Sequence, residues 1–129
     1  MPIVAGVDRS SRAESVVSHG YDLADKCDVE LHVVHVGARQ VGDGGLERGR
    51  EEASEVAADV AEKTIGQTDF EPIGLVGDPA EKLLEYGENQ DAEYIVINAR
   101  KRTRLDHAIF GGVSQSLLLA ADRPVVTVP

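Results

Sequence analysis

The chain has 129 residues, 42% of them hydrophobic and 28% charged, and this composition excludes a disordered or low-complexity protein. We expect one folded domain over residues 1–129. Thirteen Lys and Arg against 23 Asp and Glu give a net charge of −10, which disfavours binding to nucleic acids or anionic membranes.

The charge is unevenly distributed along the chain. Residues 1–97 contain 8 basic and 21 acidic groups, whereas residues 98–129 contain 5 basic and 2 acidic groups. Four of the basic side chains fall within five positions, at Arg100, Lys101, Arg102 and Arg104. This basic run is the local exception to an acidic protein, so it is a candidate for contact with an anion.

The single cysteine and the N-terminal residues indicate the compartment. Cys27 cannot form an internal disulfide, and we expect it to be a buried, unreactive thiol. Residues 1–8 lack the basic start of a secretion signal, and no apolar run approaches the ~18 residues of a membrane span. We therefore expect a cytoplasmic location.

The first strand and the first helix are predicted close to the N-terminus. Residues 3–7 form a short apolar run that ends at Asp8, which is typical of a strand buried on both faces. Apolar residues then recur at intervals of three and four over residues 13–24, which predicts a helix. We expect Ser10 or Ser11 to cap its N-terminus.

The middle of the chain continues this alternation. Residues 31–36 predict the second strand, and the glycine-rich segment 37–45 after it predicts a mobile loop. The amphipathic pattern over residues 46–65 predicts the second helix. Residues 70–76 predict the third strand.

Four further elements and a basic segment complete the chain. Asp78 and Pro79 are typical of the cap and first position of a third helix. Residues 94–97 predict the fourth strand, and an irregular basic stretch follows it. Residues 113–121 then predict a short helix, and residues 124–128 predict the last strand.

The order βαβαβαβαβ predicts the fold class. Strands that alternate with helices form a parallel sheet, because each connection must cross over the sheet. We expect a three-layer α/β/α sandwich, Rossmann-like, with five parallel strands in the order 3-2-1-4-5. Ligands bind such folds where the first and fourth strands separate. Residues 8–10 and 98–104 leave those two strands.

Several familiar sites are absent from the sequence. Asp8, Arg9, Ser10 and Ser11 stand where a dinucleotide site needs G-x-G-x-x-G, and neither a G-x-x-x-x-G-K-[ST] nor a G-x-S-x-G motif occurs. His32 and His35 are three apart in a strand and so face opposite sides, while His19 and His107 lack a partner at ligand spacing. We expect no metal site and no catalytic acid–base pair.

Two segments remain as a candidate anion site. Asn98-Ala99-Arg100-Lys101 follows the fourth strand, and Gly111-Gly112-Val113-Ser114 begins the last helix. Backbone N–H groups at a helix N-terminus bind phosphate oxygens, and glycines allow the phosphate to approach closely. In the alternative interpretation, the glycines and Ser114 only cap a short helix, and the basic run is a solvated loop.

The sequence resembles the universal stress protein family along its whole length. The matching segments are IVAGVDRS at 3–10, LHVVHV at 31–36, GDPA at 77–80 and RPVVTV at 123–128. Members that bind ATP carry G-x2-G-x9-G-[ST] after the fourth strand, and this motif falls on Asn98, Lys101, Gly111 and Gly112. Gly111 matches by type, Lys101 adds bulk in place of glycine, and Gly112 lacks the hydroxyl.

This resemblance implies a nucleotide site with two ends. The adenosine end would be formed by Val7, Asp8 and Val36. The phosphate end would be formed by Gly111, Gly112, Val113 and Ser114, where Ser114 offers a hydroxyl two residues after the expected one. Arg100, Lys101 and Arg102 could supply charge in place of the lost backbone contacts.

The resemblance also implies the function. We expect a stress-response sensor or accessory protein that binds ATP, with or without Mg²⁺, or a related phosphorylated ligand. Turnover beyond weak ATP hydrolysis is not expected, because the S-G-G-x-D-S and H-x-G-H motifs of related nucleotidyl transferases are absent. The alternative is a homodimer that binds no nucleotide and acts through protein contacts, since the family has a branch without the glycine motif.

The last strand is the expected dimer interface. Members of the family commonly dimerise through it. Residues Val125, Val126, Thr127 and Val128 would otherwise form an uncovered, largely apolar sheet edge.

Overall fold

The computed structural model describes residues 1–67, 69–99 and 112–129, and the backbone of 101–102 and 107–108. The strands are β1 (Ile3–Val7), β2 (Leu31–Gly37), β3 (Glu71–Val76), β4 (Tyr94–Asn98), β5 (Lys101–Arg102), β6 (His107–Ala108) and β7 (Val125–Val128). The helices are α1 (Ala13–Cys27), α2 (Gly45–Ile65), α3 (Pro79–Asn89) and α4 (Gly112–Ala120). None of these helices has the length and apolar character needed to span a bilayer.

The main sheet is parallel and has the strand order β3-β2-β1-β4-β7. This is the order 3-2-1-4-5 of the predicted strands, so the predicted α/β fold is confirmed. The short strands β5 and β6 pair with each other antiparallel, outside the main sheet. They lie in the basic stretch, for which the sequence predicts no regular element.

The sheet is buried on both faces. Neighbouring side chains of β2 illustrate this, because Val33 packs into the core beneath α1 and α2, while Val34 packs into the core with Leu83 of α3 and Leu117 of α4. Both valines are fully buried. Side chains alternate between the faces of a strand, so an unbroken apolar run such as that of β2 requires helices on both sides.

The start of α1 differs from its predicted cap. The helix begins at Ala13, after Arg12, and its N-cap makes no side-chain hydrogen bond, so the prediction of a Ser10 or Ser11 cap is wrong. The reason is local. The Ser10 hydroxyl donates to Asp8 Oδ1 at 2.6 Å and accepts from the Arg12 N–H at 3.3 Å, so it closes the turn before the helix.

The start of α3 follows the prediction. Asp78 is the N-cap, and its Oδ2 accepts a hydrogen bond from the Glu81 N–H at 3.0 Å, with Pro79 at the first position of the helix. This satisfies one N–H group that the helix itself cannot pair.

Cys27 is exposed, so the prediction of a buried thiol is wrong. It is the last residue of α1, where Asp28 adopts a left-handed conformation and reverses the chain. The Val29 N–H then bonds to the Ala24 carbonyl at 3.0 Å, and Val29 packs against the core. In this Schellman-type end, Val29 takes the buried position that would have continued the apolar stripe.

The loop predicted over residues 37–45 is shorter in the structure, because the neighbouring elements extend into both of its ends. Gly37 still pairs with Val76 as the last residue of β2, and Gly45 already begins α2. Between them, the Arg48 side chain donates hydrogen bonds to the carbonyls of Val41 and Asp43 at 3.0 and 2.8 Å. The second helix therefore begins one residue earlier than its apolar pattern indicates.

Candidate functional site

β1 and β4 are hydrogen-bonded neighbours over only part of their length. Their pairing runs from Ile3↔Tyr94 to Ala5↔Val96. The pairing of β1 with β2, in contrast, extends to Val7↔His35. The two central strands therefore separate towards their carboxyl ends, as expected where a doubly wound sheet reverses its strand order.

A cavity of about 300 Å³ lies where the two strands separate. Its volume is at the lower end of the roughly 300–1,000 Å³ that small-molecule sites occupy. The predicted site residues that line it are Val7, Asp8, Val36, Asn98, Gly112, Val113 and Ser114. The fold thus brings together the ends of β1, β2 and β4 and the start of α4.

Four residues predicted to contribute to the site cannot be assigned to the cavity. Arg100 and Gly111 lie outside the described residues. Lys101 and Arg102 are described only through their backbone, which pairs with Ala108 and His107. The contribution of these four residues to a site stays a prediction.

The cavity has an apolar wall on the side of α3. Leu83 and Ile97 line it and lie against Gly6, where a Cβ atom would stand 2.9 Å from Leu83 Cδ1 and 3.6 Å from Ile97 Cγ2. Glycine is therefore required at position 6 for Leu83 to pack in its present place. An apolar wall of this kind suits one face of a planar ring.

Side chains donate hydrogen bonds to the carbonyls that end the two separating strands. The His35 Nδ1–H donates to the Val7 carbonyl at 2.8 Å, and the Ser114 hydroxyl donates to the Asn98 carbonyl at 2.8 Å. Both side chains are buried. The Asn98 side-chain amide in turn donates to the Val128 carbonyl at 3.1 Å, which joins β4 to β7. These bonds fix the rim of the cavity.

Asp8 places a carboxylate at the rim. Its Oδ1 accepts hydrogen bonds from the backbone N–H and the hydroxyl of Ser10, at 2.8 and 2.6 Å. Within the described residues, Oδ2 has no hydrogen-bond partner. Asp8 is thus held by one oxygen, and its other oxygen can accept a hydrogen bond from a hydroxyl group of a ligand.

The N-terminus of α4 lies at the β4 side of the cavity, where Ser114 bonds to Asn98. Gly112, Val113 and Ser114 form its first turn, whose N–H groups have no acceptor within the helix. A Cβ atom at Gly112 would have no atom of the described residues within 4 Å. N–H groups and the positive end of the helix dipole favour an anion here.

A second polar cluster lies away from the cavity. His32 Nδ1 lies 2.7 Å from the Tyr86 hydroxyl, and His32 Nε2 lies 3.2 Å from Glu30 Oε2. Burial raises the pKa of Tyr86, and the negative charges of Glu71 and Glu30 raise it further.

His32 and His35 face opposite sides of the sheet, as predicted. In the part of the chain that the structure describes, no group of three His, Cys, Asp or Glu residues could hold a metal.

Gly6, Leu83 and His35 are among the cavity-lining residues that the sequence does not identify. Gly6 and Leu83 have no sequence signal, because their contact depends on how α3 packs on the sheet. His35 has a sequence signal, since it is a polar residue that precedes Val36 at the end of the buried strand β2. A polar residue at the end of a buried strand, next to the strand reversal, is the pattern that could have found it.

A doubly wound sheet with a cavity at its strand reversal defines the class of Rossmann-like α/β ligand-binding domains. The chain belongs to the universal stress protein family, whose model matches residues 1–129. A universal stress protein of Mycolicibacterium smegmatis is 29% identical over 126 residues, which cover 98% of this chain and 95% of that protein.

Solved structures of the family have the same fold. A universal stress protein from Archaeoglobus fulgidus superposes with a TM-score of 0.78 at 30% identity, over 100% of this chain and 98% of that one. A universal stress protein from the same organism, in complex with dAMP, gives a TM-score of 0.72 at 28% identity, again over 100% and 98%.

Proposed function

We propose that this protein binds an adenine nucleotide, ATP or a related phosphorylated ligand, and acts as a sensor or accessory factor in a stress response. The observation that carries the proposal is the cavity, which lies at the strand reversal and joins an apolar wall to a helix N-terminus. A relative 28% identical to this chain has been solved with dAMP, which supports a nucleotide as the ligand class.

The two ends of the cavity differ in chemistry, and this gives the orientation. Phosphate oxygens would accept hydrogen bonds from the first N–H groups of α4, at Gly112 to Ser114. The base would then lie at the end of β2, beside Val36. Asp8 stands between these ends and would accept a hydrogen bond from a ribose hydroxyl.

The lining of the cavity fits a magnesium ion only as a companion of the nucleotide. Among the described residues that line the cavity, Asp8 is the one carboxylate. Mg²⁺ in nucleotide sites is held mainly by phosphates and water, with one or two carboxylates. Asp8 would supply that carboxylate, and the ion would neutralise phosphate charge when ATP is bound.

Isothermal titration with AMP, ATP and ATP plus Mg²⁺ tests the proposal. We expect binding by the wild-type protein and its loss in Gly112→Asp, because a carboxylate at this position repels phosphate. The substitution should not unfold the protein, since no described residue crowds a Cβ at this position and an acidic residue at a helix N-terminus is favourable. Gly112→Ala is the matched control. The absence of both heat and a thermal shift at millimolar nucleotide would favour the alternative, a stress protein that acts without nucleotide through protein contacts.

We also propose a homodimer that forms through β7. This strand is an edge of the sheet, with β4 on one side, and three of its four residues are valine. Pairing with a second copy would cover an apolar edge. Sedimentation velocity tests this. We expect a dimer for wild type and for Thr127→Ser, and a monomer for Thr127→Lys; a monomeric wild type would contradict the proposal.

The cytoplasmic location stays a prediction.

A further inference from the structure

We propose that His35 recognises the base of the bound nucleotide, because its Nε2 atom accepts a hydrogen bond from the exocyclic amine of that base. This inference rests on the proposed function, because it concerns the same cavity. His35 is 8% exposed, lines the cavity, and is the polar side chain nearest to Val36 along β2.

The bond to Val7 determines which tautomer the neutral ring adopts. A carbonyl oxygen only accepts hydrogen bonds, so His35 Nδ1 must carry a proton to bond it at 2.8 Å. In the neutral imidazole, Nε2 is then an acceptor without a proton. The end of β1 thus fixes not only the orientation of the ring but also the character of its second nitrogen.

No described residue gives His35 Nε2 a hydrogen-bond partner. Among the described residues, every fully buried side-chain nitrogen and oxygen has a partner, so this atom must be accessible. His35 lines the cavity, and the proposal places its accessible Nε2 atom on that side of the ring. A ring that is nine-tenths buried therefore presents one unpaired acceptor to a ligand.

The position of His35 selects the group that would meet this acceptor. The phosphate end of the cavity lies at α4, and the ribose has Asp8 as its acceptor. His35 lies at the β2 end, between Val34 and Val36 in sequence, where the base would be. An amine on the base can donate to Nε2, whereas a carbonyl at the same place would oppose one acceptor to another. His35 would therefore favour adenine over a 6-oxopurine.

Two substitutions separate the two nitrogens of the ring. In His35→Asn the side-chain amide can still donate from the position of Nδ1, but the Nε2 acceptor is lost. In His35→Gln an amide oxygen can take the place of Nε2, while the donor to Val7 is lost. Asn should therefore lose recognition and keep stability, and Gln should keep recognition and lose stability.

The test is a comparison of two ligands, AMP and purine riboside 5′-monophosphate, which lacks the amine. We expect His35→Asn to weaken AMP binding about 3- to 10-fold and to leave the affinity for the amine-free ligand unchanged, the scale of one net hydrogen bond. His35→Gln should keep a preference for AMP. An equal loss for both ligands, or no loss for either, would overturn the inference while the proposed function stands. No binding of either ligand by wild type would overturn both.

A second measurement does not depend on affinity. Nitrogen-15 NMR of the histidine rings distinguishes a protonated from an unprotonated Nε2. We expect unprotonated Nε2 and protonated Nδ1 at His35 in the ligand-free protein, with a shift of the Nε2 signal when AMP is added but not when the amine-free ligand is added. A protonated Nε2 in the neutral ring would overturn the inference.

Discussion

The hydroxyl of Ser114 donates a 2.8 Å hydrogen bond to the carbonyl oxygen of Asn98, which ties the first turn of α4 to the end of β4. Because Ser114 is only 6% exposed, water cannot easily replace this bond. The hydroxyl proton is therefore already used within the protein, and a phosphate at this helix would bind chiefly to backbone N–H groups.

Ser114→Ala should lower the free energy of unfolding by about 1–2 kcal/mol, because the Asn98 carbonyl loses a buried donor. Urea denaturation measures this change. Ser116 is exposed on the same helix, and Ser116→Ala should change stability by no more than about 0.5 kcal/mol. Equal effects of the two substitutions would contradict the structural role of the Ser114 bond.

Gly112→Ser should strengthen nucleotide binding by about 1 kcal/mol, the net value of one added hydrogen bond to an anion. The new hydroxyl would stand where ATP-binding relatives are expected to have one, and its Cβ would meet no atom of a described residue within 4 Å. Titration calorimetry with ATP compares it with Gly112→Ala, which adds the Cβ alone. If the serine and alanine variants bound equally, the hydroxyl would have no role there.

Tyr86→Phe should cost about 1–2 kcal/mol of stability near neutral pH, because it removes the hydrogen-bond partner of His32 Nδ1. His32 is 7% exposed and lies on the sheet face opposite to His35. Urea denaturation should detect this loss without a change in nucleotide affinity. A weaker affinity would show that the cluster is coupled to the cavity.

The same residue should make stability depend on alkaline pH. The pKa of Tyr86 is raised by burial and by the charges of Glu71 and Glu30, so the unfolded chain releases this proton first. The contribution of Tyr86 is complete below the unfolded value of about 10 and is lost as pH rises through the folded pKa. The free energy of unfolding of wild type should therefore fall more steeply above about pH 10 than that of Tyr86→Phe. Parallel curves for the two proteins would contradict this.

Gly74→Ala should destabilise the protein by about 3 kcal/mol, the upper range for overpacking. A Cβ atom at Gly74 would overlap the Arg50 carbonyl oxygen and the Ser54 nitrogen, which are backbone atoms of α2 that cannot move aside alone. Gly112→Ala is the control, because its Cβ enters open space and should change stability by less than about 0.5 kcal/mol. Thermal denaturation of both variants gives the comparison.

Chain periodicity was sufficient to predict the sheet and its order, because apolar runs such as that of β2 and the helical spacing of α1 alternate without a break. The same topology predicted that Asp8 and Asn98, 90 positions apart, would meet at one cavity. Periodicity could not predict hydrogen-bond partners. Ser10 has the chemistry of a helix cap and bonds to Asp8 instead, and Cys27 continues an apolar stripe that Val29 completes. The role of His35 depends on Val7, and only the three-dimensional register gives that pair.

The early separation of β1 and β4 has a mechanical consequence. Their pairing, from Ile3↔Tyr94 to Ala5↔Val96, is the shortest in the sheet, so β3-β2-β1 and β4-β7 form two halves joined along a short seam. Local opening should begin there, and the backbone amides beyond Ala5 should exchange with deuterium faster than those in the middle of β2. A ligand that contacts β2 on one side and α4 on the other would bridge the two halves. Binding of this ligand should therefore slow the deuterium exchange of the backbone amides along the seam.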